Sequence, residues 1–387
     1  MLQLVFGRSG YGKTEYIRNR IADMIDRGET QVLLITPEQY SFISEYSLLE
    51  QLGEARAHAV RCLSFSRLCD ECDRLYGADG RKPLTKGGKA ILMKTAIDQV
   101  RPDLELFEKK GSSAAFVQSM TGIYDEMKCC NLSGAAVYAA ADDLDTDILR
   151  CKMRDFSRIM TAYEALLGDR FADPANRLTR LYDQIKDQNY FAGQTVFLDG
   201  FNGFVAQEYK ILERIIAEAK AVYIALDSDS FGTGDGYDLF AYVNETAGIL
   251  QRIADKAGVP TNTLQLDENC RTDYADLRRI EQYIFADRAP ETEIPAEHIR
   301  LYAASTVTDA CNDLALQIKG LLRCGYRAGE IAVTMRDREK YAPVLASAFE
   351  KYGVPYYADE RQPVTAQPIL VFPMYLCLLY TSPSPRD

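Results

Sequence analysis

Histidine is almost missing from this chain: the 387 residues hold two, His58 and His298, and neither stands beside a cluster of ligand-type side chains. That argues against histidine-based catalysis and against a histidine metal site. A long apolar run is missing too. No stretch approaches the roughly 18 residues that a membrane-spanning helix needs. Positive charge is in deficit, with a net charge of −11, so the chain is not a general polyanion binder. Any nucleic-acid contact must come from a local basic and aromatic tract or from a basic partner subunit. The ten cysteines are scattered. Cys69 and Cys72 have C-x-x-C spacing but no second pair to complete a zinc site. They read as reduced packing thiols, and Cys129-Cys130 as a helix-core pair. With no signal peptide read at the N-terminus, the expected location is cytoplasmic. Two acidic stretches, Asp142 to Asp147 and the set Asp227, Asp229, Asp235 and Asp238, read as solvated loops.

What is present is a phosphate-binding pattern. Gly7-Arg8-Ser9-Gly10-Tyr11-Gly12-Lys13-Thr14 follows the apolar stretch Leu2 to Phe6 and precedes a helical period, Ile17, Ile21, Met24 and Ile25. This is G-x-x-x-x-G-K-T between strand and helix. Gly7, Gly10 and Gly12 let successive backbone N–H groups point into one anion-sized hollow, and the helix N-terminus adds its dipole. Lys13 can reach the β- and γ-phosphates, and the Thr14 hydroxyl can ligate Mg²⁺. ATP and Mg²⁺ are the expected cofactors.

Further short buried strands, Gln31 to Thr36 and Ala57 to Leu63, indicate a parallel, doubly wound α/β sheet. From residue 85 to 189 the apolar positions follow the helical period, so this segment reads as an all-helical insertion. Strands return at Thr195 to Leu198 and Ala221 to Leu226. A P-loop domain is therefore expected over 1–84 plus 190–287. Arg288 to Glu297 reads as a linker. Strands at Ile299 to Ala303 and Ile331 to Met335, with helices at Asp309 to Leu322 and Tyr341 to Tyr352, suggest a second, RecA-like α/β domain over 298–379. It is only begun, so the chain reads as a fragment, with 380–387 a non-native or disordered tail.

A P-loop ATPase also needs a carboxylate at the end of a neighbouring buried strand to hold Mg²⁺, and helicases place a Glu next to it to polarise water. Asp199, after Thr195 to Leu198, fits the first role. Gly200 stands where the Glu belongs, and Glu208 cannot take its place unless a loop folds back. Losing a general base typically costs about 10²–10⁴-fold, so the site is expected to bind nucleotide with little or no turnover. Arg271 and Arg336 each lie near the end of an element facing the expected cleft and could stabilise γ-phosphate charge. An active superfamily 1 ATPase using Glu208 is the competing reading, and a small-molecule kinase a third.

Thr36-Pro37-Glu38-Gln39, Leu63-Ser64-Phe65-Ser66-Arg67-Leu68, Phe197-Leu198-Asp199-Gly200-Phe201 and Gly353-Val354-Pro355-Tyr356, together with the P-loop, resemble the B subunits of AddAB (RexAB) helicase–nucleases, relatives of superfamily 1 helicases. The resemblance covers residues 1 to about 375. It implies a helicase fold that is not a motor, an AddA-type partner subunit that drives translocation, and a role in double-strand-break repair. It also implies that the strand with the 3′ end is bound and scanned for Chi, through Gln39, Phe65, Ser66 and Arg67. Phe65 can stack a base and Arg67 can contact phosphate. The family's nuclease domain, with its carboxylate metal site and cysteine-ligated iron–sulfur cluster, would lie further on, so these cysteines are not assigned to it. Only six residues precede Gly7, leaving no room for the glutamine segment that usually reads adenine.

Overall fold

A computed structural model describes residues 1–77, 80–110, 113–229, 239–286, 291–358 and 367–381. It divides into two units, Met1–Ile294 and Pro295–Asp387.

The first unit opens with β1 (Leu2–Gly7), α1 (Lys13–Asp26), β2 (Val32–Ile35), α2 (Ser41–Leu52), the single turn α3 (Glu54–Ala57), β3 (Val60–Leu63) and α4 (Phe65–Tyr76). The third strand is shorter than its apolar run suggests because that turn, starting after Gly53, takes up its first residue. After the two-residue β4 (Lys82–Pro83) come α5 (Lys86–Val100), α6 (Ala114–Cys129), α7 (Gly134–Ala141), α8 (Asp147–Leu167), β5 (Phe171–Ala172) and α9 (Arg177–Ile185). The unit ends with β6 (Thr195–Leu198), α10 (Ala206–Glu218), β7 (Ala221–Asp227), α11 (Ala241–Lys256), β8 (Thr261–Gln265) and α12 (Ala275–Tyr283).

Six strands form one parallel sheet in the order β3-β2-β6-β7-β1-β8. Both faces are covered, which is why the inner strands read as unbroken apolar runs. Successive side chains still point to opposite faces. Leu33, Ile35, Val196, Leu198, Val222 and Ile224 enter the larger core with α4, α9, α10 and α11. Val32, Leu34, Phe197, Tyr223 and Ala225 meet Ile17 and Ile21 of α1 on the other face. The edge strand β8, Thr-Asn-Thr-Leu-Gln, is polar and half-exposed. It escapes a search for buried strands for that reason.

Between β3 and β6 the helices α5, α6, α7 and α8 close a core of their own around Met93, Ile97, Met120, Tyr124, Phe156 and Tyr163. The short β4–β5 pair crosses this region in parallel, so it is not purely helical. Cys69 and Cys72 lie in the larger sheet core, and burial raises their thiols to about 11 and about 12. Cys129 and Cys130, expected inside a helix core, are exposed. The buried stripe of α6 is Val117, Met120 and Tyr124, and a residue five places after Tyr124 is turned off that stripe.

In the second unit, α13 (Val307–Arg323) packs on α14 (Arg338–Tyr352) through Cys311, Ala315 and Ile318 against Leu345, Ala348 and Phe349. Gly353 ends α14 at φ 65, and the Val354 amide donates to the Phe349 carbonyl at 2.9 Å, a glycine C-cap. α15 (Pro368–Thr381) follows. The strands expected at 299–303 and 331–335 do not form: no described residue of this unit carries a ladder. Alternating apolar residues favour an extended chain but do not supply a partner strand. Leu301 is 98% exposed, while Ile331, Val333 and Met335 lie against the helix pair. Of the linker, 288–290 lie outside the described residues, as do Asp235, Asp238 and 382–387 of the tail.

Candidate functional site

The loop after β1 and the ends of β6 and β7 border one cleft of about 660 Å³. Its wall includes Gly10, Gly12, Lys13, Thr14, Asp199 and Asp227. Gly10 and Gly12 take φ of 90 and 78, a region that side chains disfavour. At Gly10 a Cβ would also stand 3.0 Å from the Cβ of Arg271, so the bare backbone is needed twice over. α1 starts directly at Lys13 and has no side-chain cap at its N-terminus, which leaves its first amides free of that competition.

The Lys13 ammonium is buried among three oxygens. It bonds the carbonyls of Gly7 at 2.7 Å and Arg8 at 2.9 Å, and pairs with the Asp227 carboxylate at 2.5 Å. The Thr14 hydroxyl stands near the Asp199 carboxyl, and both border the cleft. Burial pushes the Asp199 carboxyl up from its ordinary range, against the Thr14 hydroxyl, the Gly200 amide and the charges of Lys13 and Arg18, which pull it down. A desolvated carboxylate beside a hydroxyl is a fitting pair for a hard divalent cation.

Asp199 does not sit on the strand next to β1. β7 lies between them, and the register sets Asp227 level with Gly7. Asp227 is therefore not part of a solvated loop, as the sequence suggested, but the counter-charge of Lys13. A signal for it existed: Ala221 to Leu226, like Thr195 to Leu198, is a buried run that ends in Asp.

Gly200 has φ 82, and a Cβ there would stand 3.4 Å from the Pro37 ring. A Glu at this place would be strained. Glu208 is engaged elsewhere: its carboxylate accepts the Val205 amide at 2.9 Å and caps α10, and it is not among the residues bordering the cleft. Burial raises its carboxyl.

Arg271 reaches the cleft. Its segment is tied to the loop where the Cys270 amide donates to the Gly10 carbonyl at 2.9 Å. Arg336 belongs to the second unit, where it borders a separate cavity by α13 and α14. Gln39 is exposed in a short 3₁₀ turn after Pro37. Ser66 and Arg67 lie in the first turn of α4, which Ser64 caps by accepting the Arg67 amide at 3.2 Å. The Arg67 guanidinium is exposed and pairs with Glu45 at 3.0 Å. Phe65 is only 6% exposed and meets Phe201 edge-on at 5.8 Å. In this arrangement its ring belongs to the core.

Residues 4–281 match the sequence model of a family described as "ADDB, N-terminal". The chain is 28% identical to the B subunit of the ATP-dependent helicase/deoxyribonuclease of Clostridioides difficile (strain 630), over 96% of this chain and 33% of that protein. It is 27% identical to the protein of the same name from Clostridium botulinum (strain Hall), over 96% and 33%. The corresponding figures for Thermoanaerobacter sp. (strain X514) are 25%, 98% and 34%. The chain thus spans about a third of the length of these relatives. With the match extending from β1 into α12, the chain belongs to the AddB N-terminal family.

Proposed function

We propose that this chain is the helicase-like, N-terminal part of a helicase–nuclease B subunit that binds nucleotide but is not a motor. The observation that carries the proposal is the cleft itself. It has a P-loop lysine and threonine, a metal-type carboxylate at Asp199, and a glycine in the left-handed region where a helicase needs its Glu. The fold class that fits is a P-loop NTPase of superfamily 1 type. Thr14 and Asp199 would hold Mg²⁺, which when bound neutralises phosphate charge. The loop amides and Lys13 bind the phosphates, and Arg271 approaches them from the other side of the loop. Glu208, the carboxylate considered for activating water, serves α10 and does not border the cleft.

Single-stranded DNA binds along the exposed Gln39 and Arg67 and the half-buried Ser66, with Phe65 shaping the surface from below. Scanning for Chi, an AddA-type partner and a place in double-strand-break repair in the cytoplasm complete the reading. They rest on the family and on the relatives' naming as B subunits of an ATP-dependent helicase/deoxyribonuclease. The test is DNA-stimulated ATP hydrolysis by the purified chain, beside binding of a fluorescent ATP analogue. Binding without turnover is expected. Helicase-like turnover that Lys13→Ala abolishes would overturn the non-motor reading.

A further inference from the structure

The Lys13 amine is ringed by three oxygens. It donates to two carbonyls of its own loop and is ion-paired with Asp227 at 2.5 Å. A phosphate that engages this amine competes with them. The carbonyls are fixed in the loop backbone. The carboxylate is not: its side chain is 42% exposed against 10% for Lys13, and it borders the open cleft. Strand order fixes this geometry, because β7 lies directly beside β1 with Asp227 level with Gly7. The other acidic wall residues are disposed differently. Asp199 follows β6, two strands away from β1, and Glu15 is an exposed residue in the first turn of α1.

We infer that Asp227 is a built-in counter-ion that holds Lys13 back and competes with the incoming phosphate for it. Asp227 is a positioning residue that sets how tightly the site takes a nucleotide triphosphate. This inference rests on the nucleotide-site reading above. Binding exchanges one anion for another at the ammonium, so the lysine stays neutralised throughout. The released carboxylate returns to water, which its exposure permits at small cost.

The experiment measures the dissociation constant of a fluorescent ATP analogue with Mg²⁺ for the whole chain and for Asp227→Asn, Asp227→Ser and Glu15→Gln. Glu15→Gln removes the same charge from the same cleft without touching Lys13. Asp227→Ser covers the case in which the amide oxygen of Asn bonds the ammonium again, and thermal melts check that each variant folds. Both Asp227 variants are expected to bind about five- to tenfold more tightly, with Glu15→Gln within about twofold of the parent. Equal tightening by Glu15→Gln would reduce the effect to the general field of the cleft and overturn the inference. So would unchanged or weaker binding by both Asp227 variants; in either case parental binding leaves the nucleotide site standing. Absence of binding in the parent and in both Asp227 variants would overturn both readings.

Discussion

Two buried lysines divide this molecule into a part that waits for something and a part that is finished. Lys13 lies under the loop after β1, and its counter-charge Asp227 faces an open cleft. Lys89 lies in the helical region, and one of its two counter-charges lies wholly inside the protein. It bonds Asp173, whose side chain is wholly buried, at 2.8 Å, and it pairs with Asp125. Asp173 also accepts the Tyr163 hydroxyl at 2.6 Å and the Ala175 amide at 2.8 Å. The Tyr124 ring lies 5.2 Å from the ammonium. Whatever the exposed Asp125 does, Lys89 keeps the wholly buried Asp173 as its partner, so the network specifies the packing of the helices. The comparison teaches that burial of a charge does not by itself mark a binding site. Exchangeability of its partner does.

The sharpest way to break this comparison is to remove each amine. Lys89→Met leaves Asp173 buried with its cation gone, and is expected to cost about 3–5 kcal/mol of stability. Denaturant melts would measure it. Lys13→Met leaves a half-exposed carboxylate, and is expected to cost less than about 1 kcal/mol while nucleotide binding is lost. If the two variants melt alike, the distinction falls.

Gly200→Ala comes next. Forcing a side chain into the left-handed region beside Pro37 is expected to cost about 1–2 kcal/mol, without giving turnover. Glu208→Gln weakens only the cap of α10, and is expected to cost about 0.5–1 kcal/mol with binding intact. A large loss of nucleotide binding would return Glu208 to the site.

A final, smaller effect concerns pH. Burial raises the Asp199 carboxyl. The folded state therefore holds this proton more tightly than the unfolded chain does, and stability from this group is lost as pH rises through its folded value. Asp199→Asn should melt higher than the parent at neutral pH. The gap should close as pH falls below the ordinary carboxylate range, where both side chains are neutral. A gap that widens toward acid would reverse the assignment.

Features that depend on local spacing were legible in the sequence. The loop from Gly7 to Thr14, the run into Asp199 and the C-cap at Gly353 each follow from a few adjacent residues whose backbone needs are known. Arg271 reaches the cleft because β8 adjoins β1, a neighbour too polar to be read as a buried strand. The role of Asp227 was not legible, because it depends on β7 lying between β1 and β6, and strand order is a property of the assembled sheet. Cys129 and Cys130 misled because two apolar thiols in a helix do not reveal which face is covered. The segments 299–303 and 331–335 misled for a related reason: a strand is a relation between two segments, and one segment shows only half of it.

The excursion from β3 to β6 begins and ends on strands that flank the same neighbour, β2. Its neck is the pair α4 and α9, held by Arg180 to Asp73 at 3.1 Å, Gln184 to Asp73 at 2.9 Å and Arg177 to the Ser66 carbonyl at 2.9 Å. Parallel strands are spaced about 4.8 Å apart, so the chain leaves the sheet and re-enters it through a doorway about 10 Å wide. A change of length beyond that doorway leaves the register of β3, β2 and β6 untouched, because β3 and β6 are each tied to β2 and not to each other. The helical block hangs beside the sheet with its own core and adds no strand to it.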